Sequence, residues 1–194
     1  DLRHALTVAA TERAIAIARR GSSPRPIGRM LDERSFVNAI VGLHATGGST
    51  NHTLHLPAMA AAAGITLTWQ DFADLSEVTP LLARVYPNGQ ADVNHFHAAG
   101  GMGYVIAELL GAGLLDGSAA TVSGDSLADY AREPVLSDNG LVWRDAPSTS
   151  LDTDILRPAG DPHAPNGGLR MLDGNLGKAV IKISAVAEER RLIE

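Results

Sequence analysis

Residues 36–65 read FVNAIVGLHATGGSTNHTLHLPAMAAAAGI, two apolar-rich runs joined by a Gly-Gly-Ser-Thr-Asn hinge. The first run places Phe36, Val37, Ile40 and Leu43 at helical spacing on one face. Asp32 stands where an N-cap belongs, and the Gly47-Gly48 pair ends the helix. A further helix runs from about 50 to 63, rich in Ala and closed by Gly64. Helix, glycine hinge, helix is the local plan, and it makes the first part of the chain helical.

The hinge is also the most chemically suggestive stretch. A helix start leaves several backbone N–H groups unpaired, and the helix dipole there favours an anion. Gly48 permits close approach of a ligand, and Ser49, Thr50 and Asn51 add side-chain donors. The ligand-free reading is that Ser49 or Thr50 simply caps the helix. No Gly-Lys-Ser/Thr follows, so the stretch is not a Walker loop. His52 and His55 are three apart and share a helix face, which raises a metal site. No His-Glu-x-x-His pattern accompanies them, so His55, flanked by Leu54 and Leu56, reads as a partly buried structural histidine.

Outward from the hinge, residues 2–20 carry Leu2, Leu6, Ala9, Ala10 and Ile17 at helical spacing, with Arg19, Arg20 and Gly21 suited to its C-terminus. Ile65–Trp69 alternates briefly, and Thr68 with Asp71 offers a capping box for the next helix. After the turn Tyr86-Pro87-Asn88-Gly89, a helix spans about 92–112 with Asp92 as N-cap. Its Gly100-Gly101 pair costs about 1 kcal/mol per glycine relative to Ala, which points to a break or a close backbone contact. Asn94 and His95 could face a polar pocket or solvent. His97, two residues on, points elsewhere on a helix.

From about residue 120 the character changes. Ser123-Gly124-Asp125 leads into one short helix, and from Glu133 the chain is loop-rich, with Pro134, Pro147, Pro158, Pro162 and Pro165. Asp152 and Asp154 read as a turn rather than a carboxylate dyad. RMLDGNLGKAVIK (170–182) resembles a hairpin more than a phosphate loop. Ala179, Ile181, Ile183 and Ala185 alternate with Val180, Lys182 and Ser184 as in a strand, and Lys178 and Lys182 read as surface charges. The expected fold class is therefore α/β, with a helix-rich part followed by the start of a β-segment.

Composition bounds the function. The 194 residues can bury about 70% of their unfolded surface without staples. Sixteen Lys and Arg against 22 Asp and Glu give a net charge of −6, and the basic residues are scattered, which excludes the basic stripe of a nucleic-acid binder. With no cysteine there is no disulfide framework and no thiolate ligand in this chain. No apolar run approaches the roughly 20 residues of a membrane span and no signal sequence opens the chain, so a cytoplasmic protein without membrane partners is expected. The chain opens at Asp1 inside a helical pattern and stops just after a strand-like run, which reads as a piece of a longer protein. The residues themselves reveal no nucleophile–base pair and no metal cluster.

Several stretches, in order, resemble the dihydroxy-acid dehydratase/phosphogluconate dehydratase family. They are the opening stretch, TWQDFADLSEVTPLLARVYPNGQADVNHFHAAGGMGYVIAELLGAGLL (68–115), TVSGDSLADYA (121–131) and LDGNLGKAVIKISAV (172–186). GGSTN and GNLG are shared across that family, whereas YPNGQADVNHFHAAGGM and NHTLHLPAMA resemble its phosphogluconate branch. The resemblance implies a hydro-lyase that converts a 2,3-dihydroxy acid into a 2-keto-3-deoxy acid. In this branch the substrate would be a sugar-acid phosphate and the product 2-keto-3-deoxy-6-phosphogluconate of the Entner–Doudoroff route.

It further implies a [4Fe-4S] cluster, Mg²⁺ in related members, and a homodimer. The fold would be an α/β N-terminal domain followed by a C-terminal β-barrel-like domain. Residues 1–132 would then finish the α/β domain, and 133–194 would form a linker and the first barrel strands. The family's cluster cysteines, carboxylate metal ligands and catalytic serine have no counterpart here, so the chain alone is expected to be inactive. Gly48, Ser49, Thr50, Asn51, Asn94 and His95 become candidate substrate-binding residues. Two alternatives are another sugar-acid or dihydroxy-acid dehydratase of the same family, and a non-enzymatic anion-binding module.

Overall fold

The computed structural model describes residues 1–18 and 20–191. Six α-helices come first: α1 (Leu2–Ile17), α2 (Glu33–Thr46), α3 (His52–Ala62), α4 (Trp69–Val78), α5 (Val93–Ala98) and α6 (Gly101–Gly111). Two antiparallel hairpins follow, β1 (Arg132–Ser137) with β2 (Gly140–Asp145), and β3 (Arg170–Gly174) with β4 (Gly177–Ile181). Helices and small antiparallel sheets combine in one chain, so the α/β class holds.

Helix α2 is the spine. The Asp32 carboxylate accepts from the Ser35 N–H at 3.1 Å, and Gly47, with φ 57°, closes the helix in the left-handed conformation that favours glycine. Phe36, Ile40 and Leu43 face a cluster with Leu56, Ala60, Phe72 and Leu169. Val41 and Ala45 face a second cluster with Leu82, Tyr104, Val105, Leu109 and Leu156. Each fully buried large apolar side chain contributes about 1.5–3 kcal/mol, so α2 is held from two sides. Val37, expected on the buried face, is instead exposed, and its place inside is taken by Val41 and His44.

Helix α3 contains Pro57, which has no N–H to give the Thr53 carbonyl one turn back. The Trp69 indole N–H donates to that carbonyl instead, at 2.9 Å, and this bond brings the start of α4 against α3. At α4 the Asp71 carboxylate accepts from the Thr68 N–H and hydroxyl at 2.7 and 2.8 Å, as the sequence pattern proposes.

Several expectations need correction. Helix α1 ends at Ile17, short of the expected 20; Arg19 lies outside the described residues. The helix expected over 92–112 is two helices, broken where Gly100 and Gly101 take φ 134° and 61°. Within the loop-rich region from Glu133 the structure adds a hairpin that the sequence reading leaves unassigned, with Pro134 opposite Trp143. The final strand stops at Ile181 and a 3₁₀ turn takes over at Ile183–Ala185, so the expected alternation does not run to Ala185.

Residues 81–85 form the extended rib between the two clusters. Leu82 N–H donates to the Ala45 carbonyl at 2.7 Å, and Arg84 N–H to the Ile155 carbonyl at 2.8 Å. Leu81 and Ala83 bridge to Ala164 and Leu156, so the proline-rich segment is strapped across the helical part. Ser76 and Gly167–Leu169 complete the join: Gly167 N–H donates to the Ser76 carbonyl at 2.8 Å, and the Ser76 hydroxyl to the Leu169 carbonyl at 2.6 Å. The β3–β4 hairpin is thereby seated beside the C-terminal end of α2, where the glycine hinge begins.

Candidate functional site

The hinge is locked by backbone packing. Gly48 N–H donates to the Leu43 carbonyl at 2.9 Å, and Gly168 N–H to the His44 carbonyl at 3.0 Å. A Cβ on Gly168 would sit 2.5 Å from the Cα of Gly47, and one on Gly47 would sit 2.4 Å from Nδ2 of Asn88. Glycine at both positions lets two backbones and an amide meet. The Asn88 amide donates to the Gly47 carbonyl at 2.8 Å, and its Oδ1 accepts from the Ser184 hydroxyl at 2.7 Å. Ser184 N–H donates to the Gly168 carbonyl at 3.2 Å. Asn88 and Ser184 therefore brace the hinge from the turn at 86–89 and from the end of the second hairpin.

Beyond Gly48 the chain makes a tight turn into α3. Asn51 occupies the N-cap position and its side chain makes no capping bond. The Ser49 hydroxyl accepts from the Asn51 N–H at 3.2 Å, and the carbonyls of Ser49 and Thr50 take the N–H groups of His52 and Thr53 at 3.1 and 3.0 Å. Neither Ser49 nor Thr50 is thus the N-cap, which corrects that expectation. Several first-turn amides are already satisfied, so the free donors are fewer than an open helix start offers. Among the described residues, the N–H groups of Ser49 and Thr50 and the Thr50 hydroxyl have no protein partner.

These groups border a cleft of about 450 Å³ lined by residues 46–50, Tyr86, Asn88 and Lys182, with Val85, Val93, Phe96 and Met102 as apolar wall. The structure brings Gly48, Ser49 and Thr50 together there. It does not bring in the other candidates. Asn51 is exposed beside the cleft, and Asn94 and His95 are exposed on α5 outside its lining. The His95 ring bonds the Asp92 carboxylate at 2.8 Å, and that carboxylate also accepts from the Asn94 and His95 N–H groups at 2.8 and 3.1 Å. The His95 amide, chiefly, holds Asp92 below the usual carboxylate range.

The histidine readings also shift. His55 is exposed rather than partly buried, and so is Leu54 beside it, at 62% exposure. The buried histidine is His44, with no exposed surface, whose Nε2 lies 2.9 Å from the Phe72 carbonyl. Burial pushes its pKa down to about 4. Asp152 and Asp154 form the expected turn, Asp154 N–H donating to Asp152 Oδ1 at 3.0 Å.

Lys182 is the residue that the sequence reading misplaces. Lys178 fits the surface role, lying 3.6 Å from Asp173. Lys182 is half-buried at the cleft, pairs with no carboxylate among the described residues, and burial holds its ammonium below the usual lysine range. The sequence reading takes Lys182 as a surface charge within the strand, but β4 ends one residue earlier.

The iron–sulfur cluster implied by the resemblance does not fit the residues of this chain, which has no cysteine. No group of three or more His, Asp or Glu able to hold a metal ion occurs among the described residues. A second cleft, of about 720 Å³, is walled by apolar side chains including Ile27, Met59, Ile106 and Val122.

Comparison with known proteins places this geometry. The family model described as dihydroxy-acid/6-phosphogluconate dehydratase N-terminal matches residues 1–130. A phosphogluconate dehydratase of Rhizobium meliloti is 60% identical over 194 residues, all of this chain and 32% of that protein. One from Pseudomonas aeruginosa is 53% identical over 193 residues, with the same shares covered. A dihydroxy-acid dehydratase of Nitratidesulfovibrio vulgaris is 40% identical over 177 residues, 90% of this chain and 29% of that protein. The chain spans about a third of the length of these curated relatives. By the family match and these identities, the chain belongs to the dihydroxy-acid/6-phosphogluconate dehydratase family.

Proposed function

We propose that these residues work within a hydro-lyase that dehydrates 6-phospho-D-gluconate to 2-keto-3-deoxy-6-phosphogluconate in the Entner–Doudoroff route. The observation that carries this reading is identity of 60% and 53% to phosphogluconate dehydratases along the whole chain, against 40% to a dihydroxy-acid dehydratase. The reaction removes a proton from C2 and hydroxide from C3, and the resulting enol tautomerises to the ketone.

This chain contributes positioning. The free N–H groups of Ser49 and Thr50 and the Thr50 hydroxyl are donors for a sugar-acid oxygen, on a hinge braced by Asn88 and Ser184. Asn51, Asn94 and His95 stay as candidates for contacts made when further protein surrounds the cleft. The [4Fe-4S] cluster would take its thiolates from other parts of a longer polypeptide, and so would any Mg²⁺ its ligands. Residues 1–132 belong, in this reading, to the α/β dehydratase domain, and 133–194 to a linker and the first strands of a β-barrel-like domain. The working enzyme is a cytoplasmic homodimer; no described helix is long and apolar enough to cross a membrane.

The test compares substrates. A polypeptide of the relatives' full length carrying this segment is given 6-phosphogluconate, gluconate and a branched 2,3-dihydroxy acid, and 2-keto acid formation is followed. The phosphorylated substrate should be preferred. Preference for the branched acid would move the assignment to the other branch of the family. The 194-residue chain alone, supplied with iron and sulfide, should form no 2-keto acid.

A further inference from the structure

We propose that Lys182 is the anion anchor of the cleft at residues 46–50, pairing with the carboxylate or phosphate of an acidic sugar substrate. The inference rests on the dehydratase reading for the identity of the ligand, and on geometry alone for the anchor.

Charge distribution supplies the first argument. The chain carries 22 Asp and Glu against 16 Lys and Arg, and seven of these cations pair with a carboxylate among the described residues. Arg25, Arg34, Arg144 and Arg170 each pair with an Asp or Glu, and so does Lys178. Lys182 is half-buried and has no carboxylate partner among the described residues. A partly desolvated ammonium left without a counter-charge costs free energy, and an acidic protein has no shortage of carboxylates to relieve it.

The cleft supplies the second. No Asp or Glu lines it, although the chain as a whole is acidic. Its polar residues are Thr46, Ser49, Thr50, Tyr86, Asn88 and Lys182; the Asn88 amide is engaged by the Thr46 and Gly47 carbonyls, which leaves the Ser49 and Thr50 groups and Lys182 as donors for an anion. Val85, Phe96 and Met102 wall the same space, which lowers the local dielectric and strengthens any ion pair formed there. A third argument is placement. Lys182 stands two residues before Ser184, whose hydroxyl braces Asn88 at 2.7 Å. The bond network that positions the hinge therefore also fixes the backbone that carries the ammonium. The competing account is a lysine whose stem packs on apolar surface while its head stays in water. That account predicts no ligand dependence.

Two measurements on the full-length enzyme decide between them. In the first, acylation of Lys182 and Lys178 is followed by mass spectrometry with and without saturating 6-phosphogluconate, gluconate or inorganic phosphate. Lys182 should be protected while Lys178 reacts as before. In the second, equilibrium binding of the same three probes is compared between wild type and Lys182→Met. Loss of a charge-assisted bond should weaken binding roughly 10- to 100-fold. Equal weakening for 6-phosphogluconate and gluconate assigns the carboxylate to Lys182; weakening confined to 6-phosphogluconate and inorganic phosphate assigns the phosphate. Unchanged Lys182 acylation with every probe, or wild-type affinity in Lys182→Met, would overturn the proposal. Dehydratase turnover with unprotected Lys182 would sink the anchor and leave the function standing. Protected Lys182 in an enzyme that forms no 2-keto acid would do the reverse.

Discussion

The buried ring of His44 makes stability depend on pH in a direction that follows from its surroundings. The ring is fully buried, edge-on to Phe72 with centroids 6.5 Å apart, and Nε2–H donates to the Phe72 carbonyl at 2.9 Å. Nδ1 is buried without a partner. Gly167 packs against the ring so closely that a Cβ there would lie 2.7–2.8 Å from its Cβ, Cγ and Nδ1. No acceptor among the described residues stands beside Nδ1 to stabilise a second proton. Burial first, and the Arg170 charge after it, push the pKa from 6.5 down to about 4, against the opposing pull of the Phe72 carbonyl.

The unfolded chain therefore takes a proton near pH 6.5 while the folded chain refuses it until about pH 4. The stability contributed by the neutral ring is complete above pH 6.5 and is lost as pH falls between those two values. A gap of about 2.5 pH units is worth about 3 kcal/mol, a large part of a typical 5–15 kcal/mol. Urea denaturation from pH 8 to pH 5 should be run on wild type and on His44→Gln, whose amide keeps a donor for the Phe72 carbonyl but does not titrate. The stability difference between the two should shrink by about 2 kcal/mol across that range. Superposable pH dependences would refute the reasoning, since the carboxylates titrate alike in both proteins.

Gly168→Ala should lower the melting temperature by about 5 °C, because its Cβ meets the Gly47 backbone at 2.5 Å and overpacking costs about 1–3 kcal/mol. Gly160→Ala, where a Cβ meets nothing within 4 Å, is the control and should be neutral. Asn88→Ala removes the donor to the Gly47 carbonyl and the acceptor for Ser184, and should cost about 1–2 kcal/mol. Amide hydrogen exchange at Gly48, whose N–H donates to the Leu43 carbonyl, should quicken in that variant, and unchanged exchange would show that Asn88 does not brace the hinge.

Much of the helical part is written locally. Asp32, Asp92 and the Thr68–Asp71 pair sit at helix starts, and Gly47 sits at a helix end with the positive φ that glycine accepts. The Gly100-Gly101 break is equally local. What escapes a local reading is pairing between distant residues. The first hairpin hides behind Pro134, although Asn139-Gly140 between two apolar runs is a turn signal that could have found it. The rib at 81–85 has no strand pattern to speak of, because its partners are Ala45, Ile155, Leu156 and Ala164.

At the site, the hinge is legible because glycines and hydroxyls cluster in sequence. Asn88, Gly168, Lys182 and Ser184 are not, since they reach the hinge from positions 41 to 137 residues away from Gly47. His44 shows the same limit: it is buried against Phe72 and Gly167, 28 and 123 residues away, which its sequence neighbours do not signal.

The central claim is that the hinge cleft handles substrate in a dehydratase. The most direct measurement is kcat/KM for 2-keto acid formation from 6-phosphogluconate by a polypeptide of the relatives' full length, wild type against Thr50→Ala, which removes the free hydroxyl and leaves the backbone donors and the Ser49–Asn51 bond in place. One lost hydrogen bond to a charged or polar substrate predicts a fall of roughly 10-fold with a nearly unchanged melting temperature. Turnover at the wild-type rate in the folded variant would contradict the account.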